Sequence, residues 1–232
     1  MGSRTERPVL EILRETALHD RITGSLAKGG AFAFAARRER GFLLPAQSRK
    51  QVDFDAGRLC ARRALEKATG SADHVIPRGD DRAPVWPQGF HGSITHTDRF
   101  VAAVVAPRTD LKLGVDAEEW LSVRACEEVE PQVCVGTEVQ AVEKVLSLTR
   151  PRAVTLIFSA KEALYKALAP SVGRYFDFQD AQVADVRRAE GERSAELDLV
   201  LLTDLGAELL RGSRVTALAT WDDERAFCLI LN

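Results

Sequence analysis

The order of its apolar segments constrains this chain more than any other feature. In the first half, an apolar run at 31–35 fits a buried strand. A helical pattern follows over 52–69, with Phe54, Leu59, Cys60, Ala61, Ala64, Leu65 and Ala68 at helical spacing and Gly70 as its stop. Ser93-Ile94-Thr95-His96 then leads into a strand at 100–106 that Pro107 ends, and a second strand covers 111–115. The second half likewise places a helix-rich stretch before a strand hairpin, with no sequence repeat strong enough to prove duplication. Helical patterns at 138–148 and 153–168, separated by Pro151, precede strands at 196–201, 215–221 and 225–231. The last two are joined through Asp222-Asp223-Glu224 as a hairpin. A short amphipathic helix at 9–18 is also expected, and 78–84 is a loop by its turn residues. The expectation is an α+β protein of two similar lobes, 1–112 and 113–232, meeting near 107–118. A site at such a junction would draw residues from both.

Composition narrows the function classes. With 232 residues, 45% of them hydrophobic, the chain can bury one large core or two small ones, and it is not disordered. A net charge of −2 argues against wholesale nucleic-acid binding, although Arg37-Arg38, Arg49-Lys50 and the arginines at 58–63 enrich the first third in cations. The four cysteines form no CxxC pair, so they read as reduced thiols of a cytoplasmic protein. No apolar run approaches eighteen residues in length, which leaves neither a membrane span nor a leader to expect. Met1-Gly2 fails as a myristoylation signal because Glu6 stands where Ser or Thr is needed.

Chemistry concentrates in two acidic clusters. Gly114-Val115-Asp116-Ala117-Glu118 ends an apolar strand, and strand residues two apart face one side, so Asp116 and Glu118 can meet one spot. Glu119 points away from them. Phe158-Ser159-Ala160-Lys161-Glu162-Ala163-Leu164-Tyr165-Lys166 reads as a helix with one carboxylate and two lysines. Carboxylates converging without His or Cys suit a hard cation such as Mg²⁺ bridging to substrate phosphate, with lysines neutralising phosphate charge. Each piece alone reads as solvated surface: the D-x-E as a turn, the Lys161, Glu162 and Lys166 group as a surface ion pair. The combination carries the signal. His96 alone reads as a structural hydrogen-bonding residue, while small residues near Thr95 would let a phosphate approach the backbone. Arg58 and Arg62, one helical turn apart, can clamp phosphate or form a plain solvated basic face.

Four ordered motifs then identify a family. Lys50-x-x-Asp53-Phe54-x-x-Gly57-Arg58-x-Cys60-Ala61-Arg62-x-Ala64-Leu65 comes first, and Pro84-x-Trp86-Pro87-x-Gly89-x-x-Gly92-Ser93-Ile94-Thr95-His96 second. Gly114-Val115-Asp116-x-Glu118 and Phe158-Ser159-x-Lys161-Glu162-x-x-Tyr165-Lys166 complete the set. Over 45–170 the chain resembles the 4′-phosphopantetheinyl transferases of the longer siderophore and secondary-metabolism type (Sfp-type, that of enterobactin synthase component D). It does not resemble the short trimeric holo-carrier-protein synthases. The resemblance implies transfer of the phosphopantetheine arm of coenzyme A to a serine of an acyl, peptidyl or aryl carrier protein, releasing adenosine 3′,5′-bisphosphate. It implies a monomeric pseudo-dimer of two α+β lobes with the active site at their interface. Asp116, Glu118 and Glu162 match the Mg²⁺ ligands, with Mn²⁺ a possible substitute. Thr95 and His96 match coenzyme A phosphate contacts, and Lys50, Arg58, Arg82 and Lys161 match residues lining the nucleotide. Lys50 stands where an arginine is usual. Glu162 would take the serine proton, directly or through a metal-bound water, and Lys166 would assist the departing bisphosphate. Two other functions compete: a different Mg²⁺-dependent phosphotransferase, and a non-catalytic coenzyme A or carrier-protein binding module. The absence of GxxxxGK[ST] and of a kinase-like Gly-rich loop weighs against the first.

Overall fold

The computed structural model describes residues 31–36, 49–80, 82–98, 100–107 and 112–231, with side chains from 53 onward. The helix expected at 9–18 lies outside the described residues. Among the described residues, four α-helices, one short 3-10 helix and two antiparallel sheets form a mixed α/β fold.

The first sheet is built around β3 (Phe100–Pro107), flanked by β1 (Ala31–Ala36) and β2 (Phe90–His96). The near-continuous apolar sequence of β3 has a simple cause: both its faces are covered. Val101, Ala103 and Val105 pack against Cys60, Ala61, Ala64 and Leu65 of helix α1 (Arg49–Thr69). Phe100, Ala102, Val104 and Ala106 face the other way, into a cluster with Leu113, Val115 and Ala117 of β4 (Leu113–Glu119) and with Phe227 and Leu229 of β8 (Arg225–Leu231). That second cluster joins the two sheets.

The second sheet has the order β4-β8-β7-β6-β5, with β5 (Ala181–Arg188), β6 (Ser194–Leu201) and β7 (Arg214–Trp221) in sequential hairpin order. Its inner face is covered by α2 (Val123–Val133), α3 (Glu138–Leu146) and the long α4 (Arg150–Val172). Pro151 sits in the first turn of α4, where a missing backbone N–H removes no helical bond. Gly173 ends α4 in the left-handed conformation with φ 67°.

Several elements differ from expectation. Phe90–His96 is a strand in its own right, paired residue by residue with β3, rather than a lead-in. β4 begins at Leu113 and runs on to Glu119, so both carboxylates lie inside the strand and pair opposite β8, Asp116 across from Cys228 and Glu118 from Ala226. Helix α2 and strand β5 were not anticipated. α2 interleaves charged and apolar residues, with Pro131 inside it and Cys126 and Val133 as its buried residues. β5 carries an irregularity between Val183 and Asp185 that breaks its alternation.

Candidate functional site

One glycine sets the site's geometry. A Cβ on Gly114 would lie 2.0 Å from the carbonyl oxygen of Ala163 and 2.7 Å from the amide nitrogen of Ala167. No other residue lets α4 lie this close to β4. Strand alternation puts Asp116 and Glu118 on the same face as Gly114, toward the helix. One turn of α4 spans Glu162 to Lys166, so both side chains meet that face. The contact is direct: Lys166 Nζ donates to Asp116 Oδ1 at 2.6 Å. The sequence-predicted Asp116, Glu118, Glu162 and Lys166 therefore share one electrostatic neighbourhood.

That neighbourhood holds too much negative charge. Burial, the Asp116 carboxylate and then Glu162 and Glu119 push Glu118 up to about 8, against a smaller opposing pull from Lys166. Glu162 is likewise raised, mainly by burial and also by Asp116, with Lys166 again opposing. Asp116 is 2% exposed, and its Oδ2 is buried with no hydrogen-bond partner. A buried, unpartnered carboxylate oxygen is expensive, and such atoms persist where a ligand or function answers them.

An orphaned Oδ2, an all-oxygen donor set and two glutamates whose pKa values burial and the Asp116 charge raise are what a hard divalent cation would relieve. The donor chemistry therefore fits. Among the described residues, however, no three His, Cys, Asp or Glu side chains converge as they stand on a single ion position. Lys166 is the cation that all three carboxylates feel in this arrangement.

The remaining expected residues separate into two groups. Lys161 does not reach the cluster. Its Nζ is buried and donates to Val133 O and to Glu138 Oε1, each at 2.8 Å. Glu138 is buried too and accepts from the Val135 and Val183 N–H groups. This closed ion pair holds α3, α4 and β5 together, so the ammonium is not available to line a nucleotide. Thr95 is also buried. Its hydroxyl accepts from the Ala117 N–H at 3.0 Å and donates to Asp116 Oδ1 at 3.1 Å, so it is engaged with β4 in this arrangement. Glu119, expected to point away, accepts from Thr97 Oγ1 at 3.2 Å.

His96 stands exposed at the end of β2, one residue from Thr95. Arg58 is nearly buried. Its guanidinium lies 4.6 Å from the Phe54 ring centroid, its Nη2 donates to Pro77 O at 3.5 Å, and its Nε has no hydrogen-bond partner. Burial and the like charge of Arg78 lower its pKa. Arg62, one turn further along α1, is exposed, as the solvated-face reading has it, whereas Arg58 is not. Arg82 is exposed in the 78–84 loop at φ 72°, a left-handed conformation rare outside glycine. Lys50 falls in α1, and its side chain is not among those described.

Sequence reasoning missed Gly114 as the close-approach residue, Glu138 as the partner of Lys161, and the Ser93 and Thr95 hydroxyls as contacts to β4. It also missed an aromatic cavity of about 170 Å³ beside Glu162, lined by Tyr165, Tyr175, Phe176 and Phe178. The five-residue gap between Lys161 and Lys166 was a usable signal. It turns the two side chains about 140° apart on a helix, so they cannot both face Glu162's partners.

Comparison with known proteins agrees with this chemistry. Residues 38–106 match the model for the 4′-phosphopantetheinyl transferase N-terminal domain, and residues 112–219 match that for the 4′-phosphopantetheinyl transferase superfamily. The chain is 30% identical over 187 residues to 4′-phosphopantetheinyl transferase PptT of Mycobacterium tuberculosis, covering 78% of each protein. It is 34% identical over 149 residues to 4′-phosphopantetheinyl transferase Npt of Nocardia iowensis, covering 62% of this chain and 64% of that one. To enterobactin synthase component D of Salmonella typhi it is 36% identical over 130 residues, covering 56% and 53%. The matched region thus spans between half and two thirds of the last two relatives.

Proposed function

The chain belongs to the 4′-phosphopantetheinyl transferase superfamily, and from that membership we propose that it moves the phosphopantetheine arm of coenzyme A onto a serine of an apo carrier protein. The observation that carries the reading is the Asp116, Glu118, Glu162 and Lys166 cluster, an excess of buried carboxylate charge with one unpartnered oxygen. A divalent cation, held between the cluster and a pyrophosphate, supplies the positive charge that both lack.

Asp116, Glu118 and Glu162 would hold Mg²⁺, or Mn²⁺ in its place. When bound, that ion supplies charge neutralisation and polarisation at the pyrophosphate. This chain's own residues do the rest. Glu162, with a pKa raised by burial, is suited to take the proton of the carrier serine at its carboxylate. The Lys166 ammonium, one turn further along α4, faces the departing bisphosphate and offsets its growing charge. Arg58, with the like-charged Arg78 nearby and an unpartnered Nε, is suited to a nucleotide phosphate. His96, exposed at the end of β2, is suited to another. The aromatic cavity beside Glu162 suits the uncharged pantetheine arm. Residues from both sheets contribute, so the site forms at the junction of two lobes, 1–112 and 113–232, and a single chain suffices. Carrier domains of this kind are acidic, so docking weakens as salt rises.

The test is the intact mass of apo acyl, peptidyl and aryl carrier proteins incubated with the protein, coenzyme A and Mg²⁺. A gain of one phosphopantetheine on any of them supports transfer. No gain across the panel, with coenzyme A still bound, favours a binding module instead.

A further inference from the structure

β4 is an outer strand of its sheet, and an outer strand leaves backbone N–H groups without a strand partner. Two of these groups are met by side chains of the other sheet. Val115 N–H donates to Ser93 Oγ at 3.0 Å, and Ala117 N–H donates to Thr95 Oγ1 at 3.0 Å. The hydroxyls sit two positions apart on β2 and meet N–H groups two positions apart on β4. The sheets therefore join through a ladder of hydroxyls instead of backbone carbonyls. Each rung lies in the buried interior.

The two rungs differ in what the hydroxyl does next. A hydroxyl that accepts from an N–H still has one proton to give. In Thr95 that proton goes to Asp116 Oδ1 at 3.1 Å. The rigid backbone N–H of Ala117 fixes the hydroxyl, and the hydroxyl in turn fixes the carboxylate. Lys166 meets the same oxygen, which leaves Oδ2 as the unpartnered one. Ser93 makes the same kind of rung, at Val115 N–H, and does not reach the carboxylate cluster through it.

We infer that Thr95 is a positioning residue for the transfer reaction: its hydroxyl, held by the Ala117 N–H, locks the Asp116 carboxylate with Oδ2 turned to the incoming cation. The inference rests on the transferase reading, in which Asp116 is a cation ligand. Partners of this kind commonly alter metal affinity by about 10–100-fold when removed.

The test is a titration of the coenzyme A-saturated protein with Mn²⁺, following the spectrum of the free ion by electron paramagnetic resonance. Thr95→Val keeps the shape and loses the hydroxyl, and should weaken Mn²⁺ binding about tenfold or more. Thr95→Ser keeps the hydroxyl and should bind as wild type. Ser93→Ala removes the neighbouring rung, so it should lower the melting temperature yet leave Mn²⁺ affinity unchanged. Should Thr95→Val not fold, Thr95→Ala carries the same expectation. Wild-type affinity in Thr95→Val, or equal weakening in Ser93→Ala, overturns the inference while leaving the transferase reading intact. A wild-type protein that takes up no Mn²⁺ at all brings down the cation reading and this inference together.

Discussion

Helix α4 carries two lysine–carboxylate pairs, five residues apart, and they are built to opposite ends. Lys161 and Glu138 are both buried, and between them the Val133 carbonyl and the Val135 and Val183 N–H groups complete their hydrogen bonding. Lys166 and Asp116 are left open. The lysine is partly exposed, Asp116 Oδ2 has no partner, and two further carboxylates press on the pair. A closed pair is a fixture of the fold. An open one, buried on one side and short of positive charge, is a place for chemistry. The contrast shows why an adjacent Lys-Glu, read as one motif, divides its labour: Glu162 belongs to the open pair and Lys161 to the closed one.

The contrast can be broken most forcefully at the open end. Glu162→Gln should lower turnover by roughly 10²–10⁴-fold, the usual contribution of a general base. It should not lower the melting temperature, because it removes a carboxylate that its surroundings already disfavour as an anion. Near-normal turnover on an apo carrier would remove Glu162 from the reaction.

At the closed end the signature reverses. Lys161→Ala or Glu138→Ala should each destabilise by about 3–5 kcal/mol, because the surviving charge is buried and unpaired. Denaturant unfolding measures this. The double change Lys161→Met with Glu138→Leu should not restore stability, since Glu138 also answers two backbone N–H groups. If either single variant unfolds like wild type, the pair is not the fixture described.

Gly114→Ala tests the packing that brings the two elements together. Its added methyl has backbone atoms at 2.0 and 2.7 Å, so α4 must move away from β4. A loss of about 1–3 kcal/mol or more is expected, with a fall in turnover beyond what the unfolded fraction explains. A fully active, stable variant would mean that the helix and strand need not be this close.

The smallest expected effect is a pH dependence. Glu118 holds its proton in the folded state up to about 8, well above its ordinary value of 4.5. Between those limits the folded protein binds more protons than the unfolded one, so this group's contribution to stability is full at low pH and is lost as pH rises through about 8. Thermal melts of the metal-free protein should decline across that window, and Glu118→Gln should flatten the decline. A wild-type profile that rises over the same range would contradict the raised value.

Much of this was legible in the sequence, because local pattern dictates it. The period of α1, the apolar run of β3 and the 225–231 strand with its Asp222-Asp223-Glu224 turn each follow from their own residues. So does the pairing of Asp116 with Glu118, which strand alternation alone fixes. What stayed hidden depends on neighbours. β2 is written in small and polar residues, Gly92, Ser93 and Thr95, and becomes a strand by pairing with β3. A Cβ at Gly92 would lie 2.6 Å from both Trp86 and the Val104 carbonyl, contacts that no local pattern announces. The burial of Lys161 needed Glu138, and Glu138 is 23 residues away on another helix.

The central claim is that the open cluster on β4 and α4 receives a divalent cation beside a bound pyrophosphate. Anomalous diffraction from crystals grown with Mn²⁺ and coenzyme A tests it most directly. The account predicts a peak within bonding distance of Asp116 Oδ2 and at least one of Glu118 and Glu162. Coenzyme A in place with no peak at these carboxylates would contradict it.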